Sequence, residues 1–284
     1  MILSILEQAS LLTPLCLAIF LLFRIFKITD LSLEASFVFG AAVYAKALLL
    51  TQNNFVAVAC ALTCGFVVGS VNALVQIKKN LSPLICGVLM LFIVNSLTFI
   101  IMDRPFISLH NHSTIFTLIS QHGESFASLS TILISLVLLA VYIFFFSTKI
   151  GLLCRAAATN FILFKRLGFC GDFYKAVALG FSGSLAALSG LLFATRGGFV
   201  DLHMGAGLSV VGIGSVVLGV ELFKFIRKSE SFNPFFDVCS VFAGLLFYFT
   251  AMHVLLFFGL SPIFIKLMLG MFLLIVLGKG FSDE

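Results

Sequence analysis

The stretch "GFSGS" (180–184) sets Ser182 between glycines, and His253 follows in a later apolar run. A hydroxyl nucleophile beside a histidine base is the pairing that cleaves acyl bonds, so Ser182 and His253 could make a serine protease that works within a membrane. Other reactive residue types are less ordered. His110 and His112 form an HxH pair, with Asp103, His122 and Glu124 in the same loop, but no four-ligand spacing joins them and no metal is expected. Seven cysteines (16, 60, 64, 86, 154, 170, 239) lie mostly in apolar runs and read as buried thiols. "MGAGLSVVGIGSVVLG" (204–219) imitates a phosphate-binding loop without the preceding strand such a loop needs. "LGKG" at 277–280 is not a Walker A motif, so this chain carries no P-loop of its own.

The elements that must position these residues are membrane helices. Of the 284 residues, 61% are hydrophobic and only 10% charged. Mean hydropathy is +1.20, more apolar surface than a soluble fold can bury. At roughly 20 apolar residues per crossing, the chain reads as one all-α, polytopic transmembrane helix bundle over residues 1–284. About nine spans are expected, near 9–26, 32–51, 55–77, 82–102, 128–147, 175–195, 205–223, 236–258 and 261–278. The first is a retained helix: Glu7 precedes the apolar run, and Arg24 and Lys27 follow it.

Positive charge then orients the bundle. With the N-terminus outside, the inner loops hold Arg24, Lys27, Lys78, Lys79, Lys149, Arg155, Lys165, Arg166, Lys175, Lys224, Arg227 and Lys228. Lys279 on the cytoplasmic C-terminal tail makes thirteen of the seventeen basic residues. No basic tract with interleaved aromatics points to nucleic acid.

Polar residues at membrane depth are candidates for a substrate pathway, because burying them in lipid is costly. They are Glu34, Ser36, Asn72, Asn95 and Ser96. Glu34 also suits the first turn of its helix, which Asp30 or Ser32 can cap, and the amides can equally bond between helices. Gly205, Gly212 and Gly219, with Gly207 and Gly214, recur by heptad and read as a packing stripe, as do Gly65 and Gly69. Ser182, Gly183, Ser184 and Gly190 suit the same small-residue packing.

"TKIGLLCRAAATNFILFKRLG" (148–168) stands apart, with four positive charges and no acid between two apolar runs. Its second half predicts a short helix, with Thr159 or Asn160 as N-cap and Gly168 as the stop. Phe161, Phe164 and Lys165 share one face, with Ile162 and Arg166 beside it. Such a helix suits either the lipid headgroup layer or a groove on a soluble partner.

These residues resemble the permease subunits of ABC importers of the branched-chain amino acid and ribose type. The likeness runs through Gly151, Arg155, Ala156, Asn160 and Gly168, and through Gly69, Asn72 and Leu74. It is sharper at Asp30, Leu31, Ser36, Phe37, Gly40, Asp201, Met204, Gly205, Gly207, Gly212, Ser215, Gly219 and Glu221. Those positions are similar to a subgroup of tryptophan/tyrosine-type and uncharacterised-substrate permeases, over roughly residues 20–280.

The resemblance implies a cell (inner) membrane permease that moves a small polar solute, an amino acid by subgroup, inward by alternating access. It implies a permease homodimer, a cytoplasmic P-loop ATPase subunit, an extracytoplasmic solute-binding protein, and no cofactor. The cytoplasmic loop at about 148–175 becomes the coupling segment, carried by Arg155, Asn160, Phe161, Phe164, Lys165, Arg166 and Gly168. Phe161, Ile162, Leu163 and Phe164 stand where that family usually has polar residues, which points to an apolar contact. Two alternatives are an ion-coupled secondary transporter and a rhomboid-like serine protease using Ser182 and His253.

Overall fold

The computed structural model describes residues 2–79, 81–110, 124–159, 170–227 and 233–259, with Thr114, Phe116, Phe264, Leu267, Met268, Gly270 and Met271. Helix α1 (Ile2–Ile19) runs without a break into a wider π-helical turn at Phe20–Ile25. Then come α2 (Ser32–Thr51), α3 (Asn54–Lys79), α4 (Pro83–Met102) and strand β1 (Phe106–Ser108). The second half holds α5 (Glu124–Ser147), α6 (Lys149–Thr159), α7 (Gly171–Gly197), β2 (Phe199–Asp201), α8 (Leu208–Arg227) and α9 (Pro234–Phe257).

Seven of these helices are long and apolar enough to cross a membrane: 2–25, 32–51, 54–79, 83–102, 126–147, 171–197 and 234–257. They match seven of the expected spans. α8 has only a shorter apolar stretch, Leu208–Phe223, and most of the expected span 261–278 lies outside the described residues. α1 starts well before residue 9, because Glu7 and Gln8 are held within the bundle rather than left at its edge. α8 starts later than 205, because Gly207 adopts φ +81 and ends the preceding turn. An all-α reading also missed a small sheet. β1 and β2 pair antiparallel, Phe106 opposite Asp201 and Ser108 opposite Phe199, and tie the end of α4 to the end of α7.

α1 lies at the centre, packed on α5, α7, α8 and α9. Pro14 within it gives no N–H to the carbonyl one turn back. Hydroxyls from neighbouring helices bind other carbonyls of α1. Ser189 donates to Leu11 O at 2.6 Å, Tyr142 to Leu17 O at 3.0 Å and Ser182 to Ala18 O at 3.5 Å. With Ser135 bonded to Ser10 at 3.1 Å, these bonds show α5 running parallel to α1 and α7 antiparallel to it.

α7 presents its small residues to α2 and α3. Gly183 lies against Gly65, Gly180 against Phe66 and Ser70, and Ala187 against Gly40. Ser184 adds a bond to Leu62 O at 3.1 Å. The packing reading of Gly65, Gly69, Ser182, Gly183, Ser184 and Gly190 therefore holds. The 205–219 glycines do not form one stripe. Gly205 meets Val38 and the Glu34 carbonyl before α8 begins. Gly212 meets Ile19 of α1, and Gly219 meets Ser240 and Gly244 of α9. Gly214 is buried.

At Gly190 the carbonyl of Phe37 occupies the space a side chain would need. Gly190→Val is expected to lower stability by about 1–3 kcal/mol, the usual cost of overpacking, read as a lower unfolding temperature in detergent. Gly197→Ala is the control: its added methyl would touch only the Phe199 ring, at 3.4 Å, and should leave that temperature nearly unchanged.

Candidate functional site

Polar side chains gather at the two ends of the bundle. At the end where α1 runs into α2, Asp30 is buried, 6% exposed. Its Oδ1 accepts the N–H of Ser32 at 2.8 Å and so caps the start of α2. Its Oδ2 accepts from Asn72 Nδ2 at 2.8 Å, and the same amide reaches Ser32 Oγ at 3.0 Å. Gln76 donates to Asn72 Oδ1 at 3.3 Å. Gly87 of α4 closes the cluster, since a methyl there would lie 2.7 Å from Asp30 Oδ1. The pathway candidate Asn72 is thus a tie between α3 and the α1–α2 connection. Burial raises the Asp30 pKa above its ordinary value of 3.8, and the hydrogen bonds from Ser32 and Asn72 oppose that rise.

The other pathway candidates do not converge. Glu34 Oε1 accepts the Ser209 N–H at 2.9 Å, so its carboxylate sits on the first turn of α8. Glu34 stands in the first turn of its own helix, as the sequence suggested, and its carboxylate also serves the start of another, where the helix dipole favours a negative charge equally well. Ser36 is buried with its hydroxyl unpartnered. Asn95 and Ser96 lie on the outward side of α4, among exposed Phe92, Ile93 and Leu97. Ser96 bonds back to Phe92 O at 3.0 Å.

α6 belongs to the same end as Asp30. The segment's first half is the described helix, which ends at Thr159. Gly151 lets α6 sit against Phe145 and Phe146 at the end of α5. One turn on, the Arg155 guanidinium reaches Phe146 O at 3.5 Å, at the negative end of α5. Arg155 therefore fastens the segment to the bundle. Asn160, Phe161, Phe164, Lys165, Arg166 and Gly168 lie outside the described residues.

The opposite end holds a cluster that pattern reading missed. Arg196 Nε pairs with Glu7 Oε1, and Ser128 donates to Glu7 Oε2 at 2.8 Å, which joins α7, α1 and α5. A cavity of about 290 Å³ opens beside the pair, lined by Glu7, Gln8, Leu11, Phe193 and Arg196. A second, of about 140 Å³, lies across the guanidinium, lined by His110, Thr114 and Thr195. Lys46 and Asp103 pair at the same end, at 2.6 Å, and Lys46 holds the Asp103 carboxyl below the usual carboxylate range.

The protease arrangement is absent. The Ser182 hydroxyl is buried on the Ala18 carbonyl, and His253 Nδ1 lies 3.0 Å from Phe249 O of its own helix. Neither is placed to activate the other.

Residues 1–277 match the family described as branched-chain amino acid transport system / permease component. The chain belongs to this family. It is 34% identical over 278 residues to an uncharacterized protein, RP368, of Rickettsia prowazekii (strain Madrid E), covering 98% of this chain and 97% of that one. It is 27% identical over 279 residues to a tyrosine transport system permease protein of Clostridioides difficile (strain R20291), covering 98% and 91%. No solved structure matches it significantly. This family supplies transport components, so the chain is a multi-pass membrane permease.

The raised pKa of Asp30 makes a pH prediction for this permease. Both folded and unfolded states hold the proton below about pH 3.8. As pH rises past that value the unfolded chain releases its proton first, so stability falls until the folded value is passed. Asp30→Asn removes this dependence. Its unfolding temperature in detergent, relative to wild type, should climb as pH rises above about 3.8. A difference that stays constant across that range would count against a buried, proton-retaining Asp30.

Proposed function

We propose that this permease is the membrane subunit of an ATP-binding cassette importer that carries an amino acid inward by alternating access. Two copies form the membrane unit of a cell-membrane complex, with ATPase subunits on the cytoplasmic side and a solute-binding protein outside. Family membership supports the transport role, and the tyrosine permease relative supports an amino acid as cargo. The distribution of Lys and Arg supports an external N-terminus, which puts Asp30 and α6 on the cytoplasmic side and Glu7 and Arg196 outside.

One observation carries the coupling role: α6, which opens the basic 148–168 stretch, is anchored to α5 through Gly151 and Arg155. A segment fastened at one end and basic and apolar in the remainder suits a peg that enters a groove on a soluble subunit. ATP-driven movement of that subunit would push on α6, and α6 would move α5. Charge on the segment tunes association, while apolar anchors such as Phe161 and Phe164 carry most of the contact energy.

Phe164→Asp tests this assignment. Reconstituted with its ATPase and binding protein, the variant should insert normally and leave ATP hydrolysis running without substrate uptake. Uptake at the wild-type rate, measured in proteoliposomes, would refute the peg.

A further inference from the structure

The cavity beside Glu7 and Arg196 has more structure than an ion pair alone requires. α1 contributes Glu7, Gln8 and Leu11 from one face, and α7 contributes Phe193 and Arg196. Leu11 and Phe193 make one part apolar, while the other part carries both charges. Among the described residues, Arg196 uses only Nε, on Glu7. Its two terminal nitrogens have no hydrogen-bond partner among the described residues. Glu7 accepts one bond at each oxygen, from Arg196 and Ser128, and a carboxylate has lone pairs for about four. Gln8 Oε1 is buried with no hydrogen-bond partner, a costly arrangement unless a ligand supplies one. The volume, about 290 Å³, is near the lower limit of about 300 Å³ for small-molecule sites.

We propose that this groove binds the substrate amino acid as a zwitterion. The free Arg196 nitrogens take its carboxylate, Glu7 and Gln8 Oε1 take its ammonium, and its apolar or aromatic side chain lies between Leu11 and Phe193. The pair is neutral overall, so a zwitterion matches both charges at once. An amine alone leaves the guanidinium unmatched, and an acid alone leaves the carboxylate unmatched. The assignment rests on the importer reading for its choice of amino acid, and on the external N-terminus for placing the groove at the outer mouth.

The test uses the full chain in lipid nanodiscs, with saturation-transfer NMR and three soluble probes at millimolar concentration: L-phenylalanine, phenethylamine and 3-phenylpropionate. L-Phenylalanine should give contact signals, and each analogue should bind about tenfold more weakly or less, the loss expected of one charged hydrogen-bonding group. Two variants leave the ion pair intact. Gln8→Leu should weaken L-phenylalanine about tenfold, and Leu11→Trp, which fills the groove, should abolish its signal. Equal binding of all three probes, or wild-type binding by both variants, overturns the site. So does the absence of any L-phenylalanine signal. Capture of the ATPase subunit by the same nanodiscs separates the two readings. Capture without amino-acid contact removes the groove and keeps the importer; contact without capture does the reverse.

Discussion

Lipid removes the usual reason for apolar helices to associate. Hydrocarbon solvates leucine as well as another helix does, so cohesion has to come from close backbone approach and from hydrogen bonds that water cannot compete for. α7 satisfies both demands. Its small residues admit α2 and α3 to near backbone contact. Ser182 and Ser189 bond to carbonyls of α1, and Ser184 to one of α3. Replace that face with leucines and three helices lose their common partner.

The same helix joins the two polar ends. It begins beyond the connection from α6 and finishes at Arg196, which is paired with Glu7. Helix α5 parallels this connection, with Ser128 on Glu7 at one end and the Arg155 contact at Phe146 at the other. Two rods thus run between the proposed coupling segment and the proposed substrate groove. A packed bundle transmits displacement because its interior has little free volume to absorb it. Under the proposed importer reading, movement at α6 would reach Glu7 through α5.

Much of this was legible because it is local. Apolar runs marked seven spans closely, and the small residues around Ser182 behaved as packing residues. Sequence patterns fail where a partner is distant along the chain. Glu34 stands in the first turn of its own helix as expected, but nothing nearby reveals its bond to Ser209. Glu7 and Arg196 looked like boundary charges, and only the fold brings α1 beside α7. Nothing local shows that Gly151 seats α6 on the end of α5. Each failure concerns a tertiary contact that neither periodicity nor propensity encodes.

The central position of α1 bears on how the molecule is made. Among the described helices α1 is the most enclosed in the finished bundle, and its partners α5, α7, α8 and α9 are all synthesised after it. While it waits, Glu7 has no guanidinium, Pro14 leaves a carbonyl exposed, and the acceptors at Leu11, Leu17 and Ala18 lack their donors. These groups gain their partners only as the later helices are added. Assembly closes around it from outside, and a truncated nascent chain that stops before Arg196 carries an unmatched acid into the membrane.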